Sequence, residues 1–175
     1  MKVFFLTIAL IYLLYGDYIA YNNGGNHIVY DTTTDLTWLN EPYTSAEDNA
    51  YNNNSESGKV LLWGNAINYC EKLKNYAGKS DWRLPNINEL YTITNKQSCF
   101  FAADSIFEQP IGDSTKSFYW SSTTYDANIS QAWQLFFFNG SDNFQDKNKS
   151  AFVRCVRGGE IHMNNNISIL MYLLY

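Results

Sequence analysis

The chain has 175 residues, a formal net charge of −5 and 17% aromatic residues. Its lysines and arginines are scattered, which argues against the clustered cationic face that nucleic-acid binding requires. The aromatic content excludes a disordered chain, and the length suits one ordinary domain behind a short leader.

The first residues predict a secretory leader. Lys2 precedes an apolar run from Val3 to Gly16, which is typical of a signal peptide and shorter than the roughly 20 residues that span a bilayer. Gly16 and Ala20 are both candidate cleavage sites, so residues 1–20 are assigned to the leader. The protein is therefore expected to be secreted, periplasmic or on the cell surface. A core strand and an uncleaved anchor are the alternatives.

The next segment predicts a β-hairpin. Residues 27–31 and 36–39 have the composition of two short strands, and the polar residues 32–35 between them are typical of a turn. The polar residues 40–60 then predict a loop. Nothing in this segment resembles a long linker, so a second domain is not expected.

Two helices are predicted in the middle of the chain. The first begins at Trp63, carries apolar residues at helical spacing as far as Tyr76, and is expected to stop at Gly78. The second follows Asn86, which can cap it, and Glu89 stands at the third position of a capping box.

Strands return in the last third. Residues 96–117 predict a long irregular loop, and residues 118–124, 132–138 and 151–157 predict strands. Asn139–Gly140 is a strong hairpin signal. Strands, two helices and strands again indicate an α+β domain.

Several blocks of this sequence, in this order, resemble one family. The blocks are Thr33–Trp38, Trp63–Leu73, Asp81–Leu90, Tyr119–Thr123, Ala132–Trp133, Phe138–Gly140 and Val153–Arg157. Together they resemble the C-terminal domain of the bacterial collagen-like adhesin Lcl, over residues 28–158. The spacing of Trp63, Ala66 and Cys70 is also similar to the wider C-type-lectin-like and formylglycine-generating-enzyme-like folds.

The resemblance implies a C-type-lectin-like domain over residues 21–159, with two helices packed on short, mostly antiparallel strands and a long irregular loop region. It also implies an exported, non-enzymatic ligand-binding or adhesion module whose partner is a polysaccharide or a surface protein. The family's adhesin binds sulfated polysaccharide as a trimer. Two departures weaken the carry-over of that ligand and of the trimer: this chain has no Gly-x-y repeat, and it is acidic.

The alternative function is a structural or assembly domain that docks to another protein without binding glycan. The apolar tail at residues 160–175 favours this alternative if it is an interaction segment. An added strand or a packed tail explains the same residues equally well. The apolar part of this tail is the nine-residue stretch 167–175. Nine residues are too few to span a membrane as a helix, so no membrane span is expected in the mature chain.

The sequence offers little support for catalysis or for a bound metal. The only histidines, His27 and His162, lie at the two ends of the domain, so the serines lack a neighbouring base. Cys70, Cys99 and Cys155 do not have the spacing of metal ligands. We therefore predict no enzyme activity, no cofactor and no metal.

In lectin-like folds, a long disulfide ties the first helix to the closing strand. The resemblance therefore implies a Cys70–Cys155 disulfide, since both cysteines belong to the family blocks and an exported chain meets conditions where such bonds persist. Cys99, in the long loop, is then the odd cysteine.

Candidate residues divide into a structural set and a ligand-binding set. The structural set is Trp63, Cys70, Asp81, Trp82, Arg83, Pro85, Glu89 and Cys155. In it, Arg83 is expected to pair with Asp81 or with Glu89.

Because lectin-like folds present ligand contacts on loops held by a scaffold, the ligand-binding set lies in the second half of the chain. It comprises Tyr119, Trp120, Tyr125, Trp133, Asn139, Asp142 and Asn143. Their rings, amides and hydroxyls suit neutral sugars, although a place in the core explains Trp120 and Trp133, each taken alone, better than a ligand contact does.

Overall fold

The computed structural model describes residues 18–23, 26–40, 61–94, 106–107 and 118–159. The predictions made for the apolar leader run, the polar loop after residue 40, Cys99 and the apolar tail lie outside the described residues. Within the described ranges, no helix has the length and apolar character needed to cross a membrane.

The first sheet contains both ends of the described chain. Its strands, in spatial order, are β1 (Tyr18–Asn23), β2 (Asn26–Asp31), β3 (Leu36–Leu39) and β9 (Val156–Gly158), each antiparallel to its neighbour. The predicted turn forms between β2 and β3 because the Asp31 carboxylate accepts hydrogen bonds from the backbone N–H groups of Thr33 and Thr34. The sequence does not predict β1, because the leader at residues 1–20 includes half of this strand.

The second sheet is a three-stranded meander. It comprises β5 (Phe118–Thr124), β6 (Gln131–Phe136) and β7 (Ser141–Asp146), in that order. The predicted hairpin at Asn139–Gly140 is confirmed, and Gly140 has a φ of 75°, a conformation that glycine adopts without steric cost. A small third sheet pairs β4 (Leu61–Leu62) with β8 (Ser150–Ala151).

Both predicted helices form, and both are short. Helix α1 spans Trp63–Lys72 and buries Ala66, Tyr69 and Cys70, as the helical spacing predicted. It ends before Tyr76 because Leu73 is already extended and the Tyr76 carbonyl accepts a hydrogen bond from the Trp82 indole N–H. Gly78 lies in the turn beyond the helix and not at its end.

Helix α2 spans Ile87–Thr92 and carries the predicted capping box. The Asn86 side chain accepts from the Glu89 backbone N–H at 2.9 Å, and the Glu89 carboxylate accepts from the Asn86 N–H at 2.7 Å. Reciprocal bonds of this kind satisfy two backbone donors that the first turn of a helix leaves unpaired.

The expected α+β, C-type-lectin-like class is wrong, because the domain is β-rich. In the described ranges, nine antiparallel strands accompany only two helices, of ten and six residues. The predicted strand at residues 151–157 is also broken, into β8 and β9. Alternation fails there because four consecutive residues, 153–156, are all buried.

The core consists of two clusters on opposite faces of the β5–β6–β7 sheet. One contains Trp120, Trp82 and the α1 residues, and the other contains Tyr119, Trp38 and the α2 residue Leu90. Adjacent residues of β5 enter different clusters because side chains alternate along a strand. The predicted Cys70–Cys155 disulfide is confirmed in the first cluster, where it joins α1 to the closing segment.

Candidate functional site

The Arg83 side chain links helix α2 to strand β9. It donates two hydrogen bonds to the Glu89 carboxylate, at 2.8 and 2.6 Å, and one to the Gly158 carbonyl at 3.3 Å. Of the two partners expected for Arg83, Glu89 is therefore the actual one. Asp81 accepts instead from Arg157, at 2.7 and 3.0 Å.

The other members of the structural set also serve packing. Trp82 is buried, and the Trp63 indole N–H donates to the Ser121 carbonyl at 2.8 Å, which fixes α1 against β5. The Pro85 carbonyl accepts from the Ser122 N–H at 2.7 Å, so the segment before α2 is held to the same strand.

Two residues of the predicted ligand-binding set lie in the core. Tyr119 and Trp120 are both 0% exposed, and the Trp120 indole N–H donates to the buried Leu61 carbonyl at 2.8 Å. Neither ring can meet a ligand from solution, so both belong to the scaffold.

Two other predicted residues form part of a surface cluster, which we name the aromatic patch: Tyr125, Trp133 and Phe144. The Tyr125 and Phe144 rings stack with centroids 4.1 Å apart, and Trp133 stands edge-on to each, at 5.3 and 5.9 Å. Phe144 is 39% exposed, and the other two rings are partly exposed.

Phe144 was missing from the predicted set, although the sequence contained the signal for it. The Asn139–Gly140 turn places Phe136 opposite Ser141. Counting outward from that pair brings Trp133 opposite Phe144, and directly opposed residues share a face of the sheet.

Polar side chains border the aromatic patch. The Gln131 amide donates to Asp146 at 2.9 Å. The Lys147 ammonium donates to the Thr124 hydroxyl and the Ile129 carbonyl, both at 2.9 Å, and lies 3.8 Å from the centre of the Trp63 ring. Lys147 thereby fixes the loop that carries Tyr125, and its positive charge interacts with these neighbouring groups.

The remaining predicted ligand residues do not join the patch. Asn139 caps the turn by accepting from the Ser141 N–H at 3.0 Å, and Asn143, opposite Gln134, faces the other side of the sheet. Asp142 contacts helix α2, where burial and a hydrogen bond to Asp142 raise the pKa of Tyr91 to about 12.

A second site, which the sequence analysis missed, lies on the outer face of the first sheet. We name it the charged cleft, a cavity of about 590 Å³. Its lining residues are Tyr30, Asp35, Thr37, Asp81, Arg83, Arg157, Gly158 and Gly159. The Tyr30 hydroxyl donates to Asp35 at 2.8 Å, and burial, together with this bond, raises the pKa of Tyr30 to about 12. The cleft forms only when β9 pairs with β3. These strands lie far apart in sequence, so no local sequence pattern predicts their pairing.

In the described part of the chain, no three His, Cys, Asp or Glu side chains come together as a metal site would require. The Ser121 hydroxyl is buried and donates to the Trp133 carbonyl at 2.8 Å.

The family model described as Lcl C-terminal domain matches residues 27–157. No curated protein matches the chain.

Proposed function

The chain belongs to the Lcl C-terminal domain family, and from that premise we propose that it is an exported, non-enzymatic module that binds carbohydrate at a surface. The aromatic patch is the observation that carries this proposal. It presents three partly exposed rings: Trp133 and Phe144 lie opposite each other on paired strands, and Tyr125 stacks on Phe144 from the loop after β5.

The chemistry of the patch suits a sugar. Aromatic rings offer apolar contact area to the C–H face of a pyranose, and they lose little side-chain entropy because they are already packed together. Gln131 and Asp146 supply an amide and a carboxylate at the border, which suit sugar hydroxyls.

The charge near the patch favours a neutral ligand over a sulfated one. Asp146 lies at its border, while the Lys147 ammonium is already held by Thr124, Ile129 and the Trp63 ring. The whole chain carries a net charge of −5, which repels polyanions at long range.

Phe144→Ala is expected to weaken binding to a neutral polysaccharide at least tenfold, since removal of an anchoring ring costs roughly 2 kcal/mol. Trp133→Ala should have at least the same effect. Titration calorimetry against neutral and sulfated polysaccharides, at low and high salt, measures this. Phe138→Ala is the matched control, because Phe138 is a partly exposed ring beside the β6–β7 turn, outside the aromatic patch.

Two results would contradict this site. Loss of binding in Phe138→Ala with Phe144→Ala unaffected would place the ligand outside the aromatic patch. Tight, salt-sensitive binding to sulfated chains alone would show that a local basic surface overrides the net charge.

An assembly role is the second candidate. Ile129 is 80% exposed in the loop that carries Tyr125, and Phe144 adds further apolar surface. If no polysaccharide binds, and sedimentation shows self-association that Phe144→Ala or loss of residues 160–175 abolishes, the docking role replaces the carbohydrate role.

Export rests on the leader, and strand β1 supports cleavage after Gly16. Cleavage after Ala20 would remove half of β1, including the pairs from Tyr18 to Asp31 and from Ile19 to Tyr30. It would also remove the Tyr18 hydroxyl that donates to the Thr92 carbonyl at 2.8 Å.

N-terminal sequencing of protein recovered outside the cytoplasm is therefore expected to begin at Asp17. A mature chain that begins at Tyr21 would contradict the placement of the cut. An intact Met1 on cytosolic protein would contradict export itself.

A further inference from the structure

The charged cleft contains two guanidinium groups that are only partly used. Arg157 donates from Nε and Nη2 to Asp81, and Arg83 donates from Nη1 and Nη2 to Glu89. Among the hydrogen bonds of the described residues, none uses Nη1 of Arg157 or Nε of Arg83. Both side chains line the same cavity and are partly exposed, at 23% and 40%. The cleft therefore offers N–H donors to a ligand.

These donors are fixed in place before any ligand arrives. Each guanidinium is held by two bonds to one carboxylate, and Arg83 is also tied to the Gly158 carbonyl. A planar fork held in this way loses little further entropy on binding, and its geometry matches a carboxylate.

The charge balance limits what the cleft can hold. Asp35 and Asp81 line the cleft, and Glu89 accepts hydrogen bonds from Arg83. The charges of these three carboxylates offset those of the two arginines. Hydrogen bonding to Arg157 lowers the pKa of Asp81, so this carboxylate stays ionised. A polyanion would meet repulsion here, whereas a single carboxylate can be held by directed hydrogen bonds.

A smaller, more apolar cavity adjoins the cleft. Its volume is about 230 Å³, and it shares Tyr30, Thr37 and Arg157 with the charged cleft. Its other lining residues are Tyr21, Ile28, Ala77, Lys79 and Trp82. The charged cleft alone is within the range of small-molecule sites, and the adjoining cavity provides room for a ring.

We propose that the charged cleft is a binding site for a small carboxylate attached to a ring. The carboxylate meets the unused donors of Arg157 and Arg83, and the ring lies along Tyr30 toward Trp82. A uronic acid and an aromatic acid share this chemistry. This site is separate from the aromatic patch and does not depend on the proposed carbohydrate role.

Four probes test the proposal in two matched pairs: glucuronate with glucose, and phenylacetate with 2-phenylethanol. Titration of ¹⁵N-labelled protein, followed by NMR, should show at least one carboxylate binding about tenfold more tightly than its neutral partner. A charge-assisted hydrogen bond contributes on that order. The stronger of the two carboxylates identifies the source of the ligand.

Arg157→Gln should weaken carboxylate binding about tenfold, and Arg157→Lys should not restore it, because an ammonium lacks the planar fork. Lys149→Gln is the matched control, since it removes one exposed positive charge outside the cleft. Carboxylate binding that Phe144→Ala weakens and Arg157→Gln leaves unchanged would place the ligand at the aromatic patch and overturn the proposal.

Equal binding of acid and neutral partner, no binding of either acid, or full binding in Arg157→Gln would each overturn the proposal. If Arg157→Gln does not fold, the wild-type protein still decides the matter. The Nε resonances of Arg83 and Arg157 must shift on addition of the carboxylate and stay in place on addition of its neutral partner.

Discussion

Replacing both Cys70 and Cys155 with alanine is expected to lower the free energy of unfolding by about 4.5 kcal/mol on the chain-entropy model. The disulfide joins residues 85 apart in sequence, so it closes a long loop in the unfolded chain and restricts that chain strongly. Both cysteines are fully buried, which adds the packing of two small side chains to the loss. Urea denaturation of the oxidised wild type and the double variant measures the difference.

Cys99→Ala is the control for this experiment. Cys99 lies outside the described residues and is expected to take no part in the Cys70–Cys155 bond, so the variant should keep wild-type stability. A loss below about 1 kcal/mol in the double variant would contradict the prediction. A non-reducing peptide map that pairs Cys99 with either of the others would do so too.

Trp120→Ala is expected to destabilise the domain by about 3–5 kcal/mol, the usual cost of removing a large aromatic ring from a core. The Trp120 ring is completely buried in the cluster that contains the disulfide. The substitution also leaves the Leu61 carbonyl without its indole donor. Thermal and urea denaturation measure the effect.

Trp120→Phe is the matched variant, because it keeps a ring in the core and loses the indole N–H. It should cost about 1–3 kcal/mol, as expected when a buried acceptor loses its partner. If Trp120→Ala instead kept wild-type stability and lost polysaccharide binding, Trp120 would belong to the ligand site and not to the core.

Local signals in the sequence were enough to predict most individual elements. The capping residues Asn86 and Glu89 begin α2, and Asn139–Gly140 closes the β6–β7 hairpin. Both signals depend on residues at most a few positions apart, so their physics is complete within a short window.

Long-range pairing explains what the sequence did not reveal. β9 pairs with β3 across almost the whole described chain, and β1 joins the same sheet from residues that look like the end of a leader. Without β1, and with β9 predicted only as the end of a longer strand, the helices seem more prominent than they are, so the fold class predicted from the sequence is wrong. The charged cleft was missed for the same reason, since Arg83, Asp35 and Arg157 converge only in the folded sheet.

The residues of the aromatic patch are partly predictable from the sequence. Side-chain chemistry indicates Tyr125 and Trp133, and the two rings lie together at the surface. Tyr119 and Trp120 have the same chemistry and are buried, because β5 is covered on both faces. Composition alone cannot distinguish a strand with two covered faces from one with a single covered face.

The division of β5 between two clusters has a consequence for how the domain comes apart. Tyr119 and Trp120 are neighbours in sequence, yet they seal different halves of the interior. Separation of β5 from the domain would expose both core clusters to water together, so neither cluster can unfold while the other stays intact. We therefore expect the domain to unfold in a single two-state transition without a stable intermediate.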